Sequence, residues 1–102
     1  MLMIKKLSKM VKEEISDAAK YAQCALDNKE ENKPLADVFY ELAGEELKHM
    51  EKLHEQVVRL INAYKATKGD PPAAMQALYD YVHEEQMEAV KEVRIMLSMY
   101  KG

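Results

Sequence analysis

The chain of 102 residues contains one cysteine, no tryptophan, three glycines and three prolines. A single cysteine excludes an internal disulfide and favours a reducing compartment, so we expect a soluble cytoplasmic protein with Cys24 as a small buried residue. No stretch approaches the ~20 apolar residues of a membrane span, and the first residues lack the apolar run and cleavage site of a signal peptide. The amino-acid composition is typical of a helical protein with a charged surface, and no strands are expected.

The chain also has little excess charge of either sign. Lysine and arginine total 15, aspartate and glutamate total 18, and the formal net charge is −3. Nucleic acids and anionic membranes bind clustered basic patches, so neither is an expected partner. The length predicts a single domain over residues 1–102 with one core, and pairing with another copy would stabilise a chain of this size.

Apolar residues recur every three to four positions, which predicts an all-α fold. The expected helices span about 3–28, 34–68 and 72–100. Pro34 suits the first turn of the second helix. Gly69 suits the C-cap of that helix, and Asp70 is the expected N-cap of the third. Both connections are short, so each helix should run antiparallel to the one before it.

Each helix has a stripe of residues predicted to face the core. The stripes are Met3, Leu7, Met10, Val11, Ala18, Tyr21 and Ala25; Leu35, Phe39, Leu42, Glu46, Met50, Leu53, Val57, Leu60 and Tyr64; and Met75, Leu78, Tyr79, Val82, Ala89, Val93, Leu97 and Tyr100. Glu46 is a carboxylate near the centre of the second stripe, and His49 lies on the same side of that helix. A Glu-x-x-His pair that faces a helical core is a metal-ligand signature.

Glu14, in the middle of the first helix, should lie at the height of this pair. If the first connection is centred near Glu31, Glu14 lies 17 residues before it and Glu46 lies 15 after it. A lone buried carboxylate is costly, whereas two carboxylates with an imidazole suit a divalent metal, iron or manganese first and zinc as an alternative. The alternative is structural: the acids would pair with lysines or tyrosine hydroxyls, and His49 would be a hydrogen-bonded core histidine.

Over roughly residues 10 to 65, the run from Glu14 to Tyr21 followed by Glu46-Leu-Lys-His49 resembles the first two helices of ferritin-like di-iron proteins, rubrerythrins especially. The resemblance implies that Glu14, Glu46 and His49 ligate iron, with two iron ions per site and Glu46 as the bridging carboxylate. The four-helix members repeat the pattern in two further helices. This chain has one further helix and no second Glu-x-x-His.

The third helix offers His83, Glu85 and Gln86 as lower-ranked ligands, and Glu85-x-x-Glu88 is a spacing seen in rubrerythrins. Gln86 should lie about seven residues, or ~10 Å, from the height of His49. We therefore expect a homodimer, or a higher homo-oligomer, in which two helical hairpins form the four-helix bundle, as in the half-ferritin arrangement of encapsulated ferritins. His83 and Gln86 are then a polar pair at a helix interface, and His54 is a surface or site-supporting residue.

The resemblance implies a ferroxidase or a peroxidase-type oxidoreductase that oxidises Fe(II) with O2 or reduces peroxide. The chain has no Cys-x-x-Cys pair, so it lacks a rubredoxin domain and would need an external electron donor. The competing hypothesis is a metal-free structural or interaction module on a ferritin-like scaffold.

Overall fold

Three long helices make up the structure, a computed structural model that describes residues 2–102. They are α1 (Leu2–Asn28), α2 (Lys33–Lys68) and α3 (Ala73–Lys101), and the described residues contain no strand. The molecule is 55 Å long and 18 Å across. The predicted all-helical fold of a hairpin plus a third helix is confirmed. Among these three helices, none is long and apolar enough to cross a membrane.

Local sequence signals set both ends of α2. The Asn32 side chain caps the first turn by accepting a hydrogen bond from the Leu35 amide, and Pro34 occupies that turn as predicted. At the other end, Gly69 has a φ of +79° and its amide donates to the Lys65 carbonyl. Glycine adopts this backbone conformation without a Cβ clash, which explains why the helix ends there.

The predicted N-cap of α3 is wrong. Pro72, not Asp70, precedes the helix, and it makes no side-chain cap hydrogen bond. A helix that began after Asp70 would need Pro71 in the helical conformation, which the following Pro72 disfavours.

The third helix lies against the α1–α2 hairpin, antiparallel to α2 and parallel to α1. Gln86 donates to the Ser8 carbonyl at 3.1 Å, which fixes the height of α3 on α1. On the α2 side, Arg94 pairs with Glu51 at 3.1 Å. Contacts further along α3 are made with residues earlier in α2, as expected for antiparallel helices.

A polar and aromatic cluster fastens the end of α3. The Tyr100 hydroxyl donates to Asp37, which also pairs with Lys33 at 2.8 Å. The Tyr100 ring stacks on Tyr40 with centroids 5.1 Å apart. These contacts hold the last turn of α3 against the first turns of α2.

The core is built from small and branched residues of all three helices. Its main cluster consists of Val11, Ile15, Ala18, Ala22, Ala43, Leu47, Met50, Val90 and Val93. Five residues of the predicted stripes are exposed instead: Met3, Met10, Leu35, Met75 and Leu78. On α1 the reason is that the helix packs against two neighbours, so its buried arc is shifted towards Ile15 and Ala22 and away from the methionines. Cys24, expected to be buried, is half-buried and free.

Ala43 of α2 and Ala18 of α1 are both fully buried and belong to the main core cluster. We expect Ala43→Leu to destabilise the fold by about 1–3 kcal/mol, the usual cost of extra methylenes in a packed core. Thermal unfolding measures this. Ala66→Leu adds the same atoms to an exposed position of α2 and should leave the melting temperature nearly unchanged. Equal effects of the two substitutions would contradict the tight packing around Ala43.

Candidate metal centre

The structure brings together the three residues at which the sequence predicts ligands. Glu14 of α1 and Glu46 and His49 of α2 each offer a ligand atom, and these atoms lie within 4.8 Å of one another. His49 Nδ1 lies 3.7 Å from Glu14 Oε2 and 3.9 Å from Glu46 Oε1. Within residues 2–102, no other group of three or more His, Cys, Asp or Glu side chains converges in this way.

The cluster is partly shielded on the carboxylate side and open on the histidine side. The side chains of Glu14 and Glu46 are 26% and 18% exposed, and that of His49 is 56% exposed. His49 also borders a polar groove lined by lysines and glutamates of α2. The histidine side of the cluster therefore faces solvent.

One oxygen of the cluster is buried and has no hydrogen bond, although His49 Nδ1 lies 3.7 Å away. Glu14 Oε2 is inaccessible to solvent and accepts no hydrogen bond. The structural alternative requires Glu14 and Glu46 to pair with lysines or tyrosine hydroxyls. Within residues 2–102, no lysine or tyrosine hydroxyl makes such a pair. Buried carboxylate oxygens normally have a partner, so this one is available for a cation.

Crowding of the two carboxyl groups raises the pKa of Glu46 to about 7. The main cause is Glu14, to which a protonated Glu46 can donate a hydrogen bond. Partial burial and the negative charge of Glu14 add to the effect, and the neighbouring charge of Asp17 contributes a little. His49 acts in the opposite direction. Without a cation, the site is therefore more stable with one carboxyl protonated.

This raised pKa makes the metal-free protein less stable as the pH rises. The folded state binds more protons than the unfolded state between about pH 4.5 and 7, so the free energy of unfolding falls over that window. Glu46→Gln removes the ionisable group while keeping the shape. We expect it to raise the melting temperature at pH 8 by roughly 4 °C or more, which corresponds to ~1 kcal/mol, and to change it little at pH 5.

Glu45→Gln is the matched control, since Glu45 is an exposed neighbour on the same helix. Scanning calorimetry in the presence of a chelator makes the comparison at both values of pH. A stabilisation by Glu46→Gln that is equal at pH 5 and pH 8 would contradict the crowding of the two carboxyls.

The three ligand atoms fit a metal ion with small adjustments. Oxygen and nitrogen ligands lie about 2.0–2.2 Å from an ion such as zinc, so two ligands of one ion are at most ~4.4 Å apart. Both distances from His49 Nδ1 fall below that limit. The 4.8 Å span of the whole set needs shifts of less than about 1 Å, which exposed rotamers provide. Two carboxylates with one imidazole suit iron, manganese and zinc.

The lower-ranked residues of α3 lie elsewhere. His83 stacks on His54 of α2 with centroids 5.0 Å apart, and burial and the charge of His83 lower the pKa of His54. Gln86 is buried and bonded to α1, and Glu85 lies beside the Tyr81 hydroxyl, whose pKa it raises. The structure thus places His83, Glu85 and Gln86 outside the cluster. His83 and Gln86 do lie at helix interfaces, but each has a different partner.

The cluster points away from α3. Glu51 faces α3 through its pair with Arg94. Residues advance by about 100° along a helix, so His49, two positions earlier, lies about 160° away around α2, and Glu46 lies about 140° away. The open side of the hairpin, here termed the hairpin face, therefore carries the candidate ligands. It comprises Met3, Met10, Glu14, Tyr21, Leu35, Leu42, Glu46, His49 and Leu53.

Sequence reasoning missed two features of this site. Asp17 influences Glu46, and its spacing of one helical turn from Glu14 is the signal that would have found it. The groove beside His49 depends on side-chain positions and has no sequence signal. Comparison of the chain with protein-family models, with curated proteins and with solved structures finds no match.

Proposed function

We propose that this chain is a non-haem metal-binding protein of the ferritin-like kind, in which Glu14, Glu46 and His49 hold iron and a second copy supplies the other half of a dinuclear site. Manganese and zinc are alternative occupants of the same ligand set. The observation that carries the proposal is the convergence of the three side chains from two helices around the unpartnered Glu14 Oε2.

The roles of the residues follow from their positions. Glu14 and His49, on opposite helices, act as terminal ligands. Glu46 lies close to both partners, which suits a bridging carboxylate. Because the pKa of Glu46 is raised to about 7, metal binding competes with a proton and weakens as the pH falls.

The chemistry that bound iron would supply is electron exchange with oxygen species. Two Fe(II) held there would be oxidised by O2, with two protons taken up to give hydrogen peroxide, or hydrogen peroxide would be reduced there to two waters by two electrons and two protons. The chain has no second redox motif, so the electrons for peroxide reduction come from an external donor.

The second copy is supported by the surface around the ligands. Met10 and Leu35 on the hairpin face are 45% and 40% exposed, and His49 is more than half exposed. Apolar residues around a half-exposed ligand set are typical of a surface that another subunit covers. A twofold axis at this face joins two hairpins into a four-helix bundle with two sets of ligands inside.

Stabilisation by a redox-inert stand-in tests the ligand set. A ligand present at ~100 times its dissociation constant stabilises the fold by about 2.7 kcal/mol, or roughly 10 °C or more in a domain of this size. We expect Mn(II) to produce such a rise in melting temperature at pH 7.5. Glu14→Gln and His49→Ala should each abolish it.

His54→Ala is the matched control, because His54 is on the same helix but outside the cluster; this variant should keep the rise. A rise that survives His49→Ala, or that His54→Ala removes, would place the metal elsewhere.

The competing function is a metal-free interaction module that uses the hairpin face for assembly alone. The exposed apolar residues of that face favour it equally, whereas the convergence of three ligand-type side chains from two helices favours the metal site. In that case, Mn(II) leaves the melting temperature unchanged while the protein still forms a dimer.

A further inference from the structure

Basic residues are concentrated at the start of α1. Residues 2–12, here the basic stretch, contain four lysines and no acidic residue. The lysines are Lys5, Lys6, Lys9 and Lys12, and all are exposed. Within residues 2–102, none of them forms an ion pair. The even mixing of charge over the whole chain thus hides a local excess of positive charge.

One stretch of α3 is rich in acidic residues. Residues 80–92, here the acidic stretch, contain five acids and one lysine. The acids are Asp80, Glu84, Glu85, Glu88 and Glu92, and all are exposed. At 1.5 Å per residue the basic stretch is about 15 Å long and the acidic stretch about 18 Å. The two stretches match in length and are opposite in charge.

The two stretches also lie at the same height. Ser8 is in the basic stretch and Gln86 is in the acidic stretch, and the hydrogen bond between them joins the stretches side by side. Because α1 and α3 run parallel, a twofold axis parallel to the helices would place the basic stretch of each copy against the acidic stretch of the other. Such an interface is self-complementary, because it forms two equivalent contacts, each between the basic stretch of one copy and the acidic stretch of the other.

We propose that this side of α1 and α3 is a second interface between copies of the chain, held by the basic stretch of one copy and the acidic stretch of the other. A polyanion fits this surface less well, because the acidic stretch beside the lysines repels it. Leu2 in the basic stretch and Tyr81 in the acidic stretch are exposed and offer apolar contacts.

The interface is small and electrostatic. Two helices about 10 Å wide over ~18 Å give about 400 Å² per partner, half of a standard protein–protein interface. Association is therefore weak and sensitive to salt, because the Debye length shrinks from ~10 Å at 0.1 M to ~3 Å at 1 M. This surface needs no metal and does not include the hairpin face, so it is independent of the proposed metal site.

Static light scattering of the metal-free protein at two salt concentrations tests the proposal. From 0.5 M to 0.05 M NaCl at high protein concentration, we expect the average mass to increase about twofold. The mass at 0.5 M separately reports the hairpin dimer, as two chains or one. The twofold increase therefore tests the second interface even if the hairpin dimer fails to form.

Charge reversal identifies the surface. Lys5, Lys9 and Lys12 changed to Glu make one variant, and Glu84, Glu88 and Glu92 changed to Lys make the other. Each alone should keep the high-salt mass at 0.05 M NaCl, because it opposes like charges. An equimolar mixture should regain the twofold increase, because each variant then meets the opposite charge.

Charge on another surface provides the control. Changing Glu30, Glu31 and Glu41 to Lys alters the net charge as much as the acidic-stretch variant does, and all three are exposed; this variant should associate like the parent. If a triple variant loses its helical circular dichroism, the single variants Lys9→Glu and Glu88→Lys replace the two triple variants in the same experiment. A wild-type mass independent of salt, or a mixture that does not regain the increase, overturns the proposal.

Discussion

Glu46→Ala is expected to abolish iron binding while leaving the helical content unchanged. The substitution removes the ligand that lies close to both Glu14 and His49. Losing a group that only orients a ligand costs ~10–100-fold in metal affinity, so losing the ligand itself should cost at least about 100-fold. Anaerobic Fe(II) titration followed by desalting and elemental analysis measures the loss, and circular dichroism measures helicity.

The fold should tolerate this substitution because the carboxyl groups of Glu46 and Glu14 crowd each other in the metal-free protein. Glu41→Ala removes an exposed carboxylate from the same helix and should bind iron like the parent. If Glu46→Ala instead unfolds a protein whose parent contains no metal, Glu46 is structural and the ligand assignment is wrong.

Met10→Lys is expected to leave the protein monomeric, with weak metal binding. Met10 lies one helical turn before Glu14 on the hairpin face, where it is 45% exposed. In a twofold interface the substitution buries two ammonium groups at a cost of several kcal/mol each, which a pair with Glu14, one turn away, offsets only in part. The mass at 0.5 M NaCl should fall by half, and iron affinity should fall with it because each half-site loses the partner's ligands.

Met75→Lys is the control for this experiment, since Met75 is a similarly exposed methionine on α3, outside the hairpin face. Its mass and iron content should match those of the parent. A Met10→Lys protein that halves in mass but keeps its iron would show that one chain suffices for the site.

The helices could be predicted from sequence because their signals are local. Apolar spacing, Pro34 and Gly69 act within one or two turns, and the structure places all three helices within one residue of the expected bounds. The N-cap of α3 failed for an equally local reason, since Pro72 disfavours the helical conformation at Pro71 and the helix begins after Pro72.

The grouping of the three candidate ligands could also be predicted, because a short connection fixes the register of an antiparallel hairpin. Glu14 and Glu46 lie almost equally far from the turn, and their positions on the two stripes put both side chains on the open side. Two positions and one turn are enough to place the cluster. Whether it holds iron stays a prediction.

The rest depends on tertiary structure that a stripe does not encode. An apolar stripe indicates which side of a helix avoids water but not what covers it, so Met10 and Leu35 were expected in the core and are exposed. The raised pKa of Glu46 depends on distances between side chains from two helices. The stack of His54 on His83 depends on where α3 crosses α2.

The most direct test of the account is the metal content of the wild-type protein together with its mass. Protein loaded anaerobically with Fe(II), desalted and passed over a sizing column at 0.5 M NaCl would be analysed by elemental analysis and light scattering on the same peak. We predict a mass of two chains with about two iron ions. Less than about one metal ion per two chains would contradict the metal site, and a mass of one chain with metal bound would contradict its completion by a second copy.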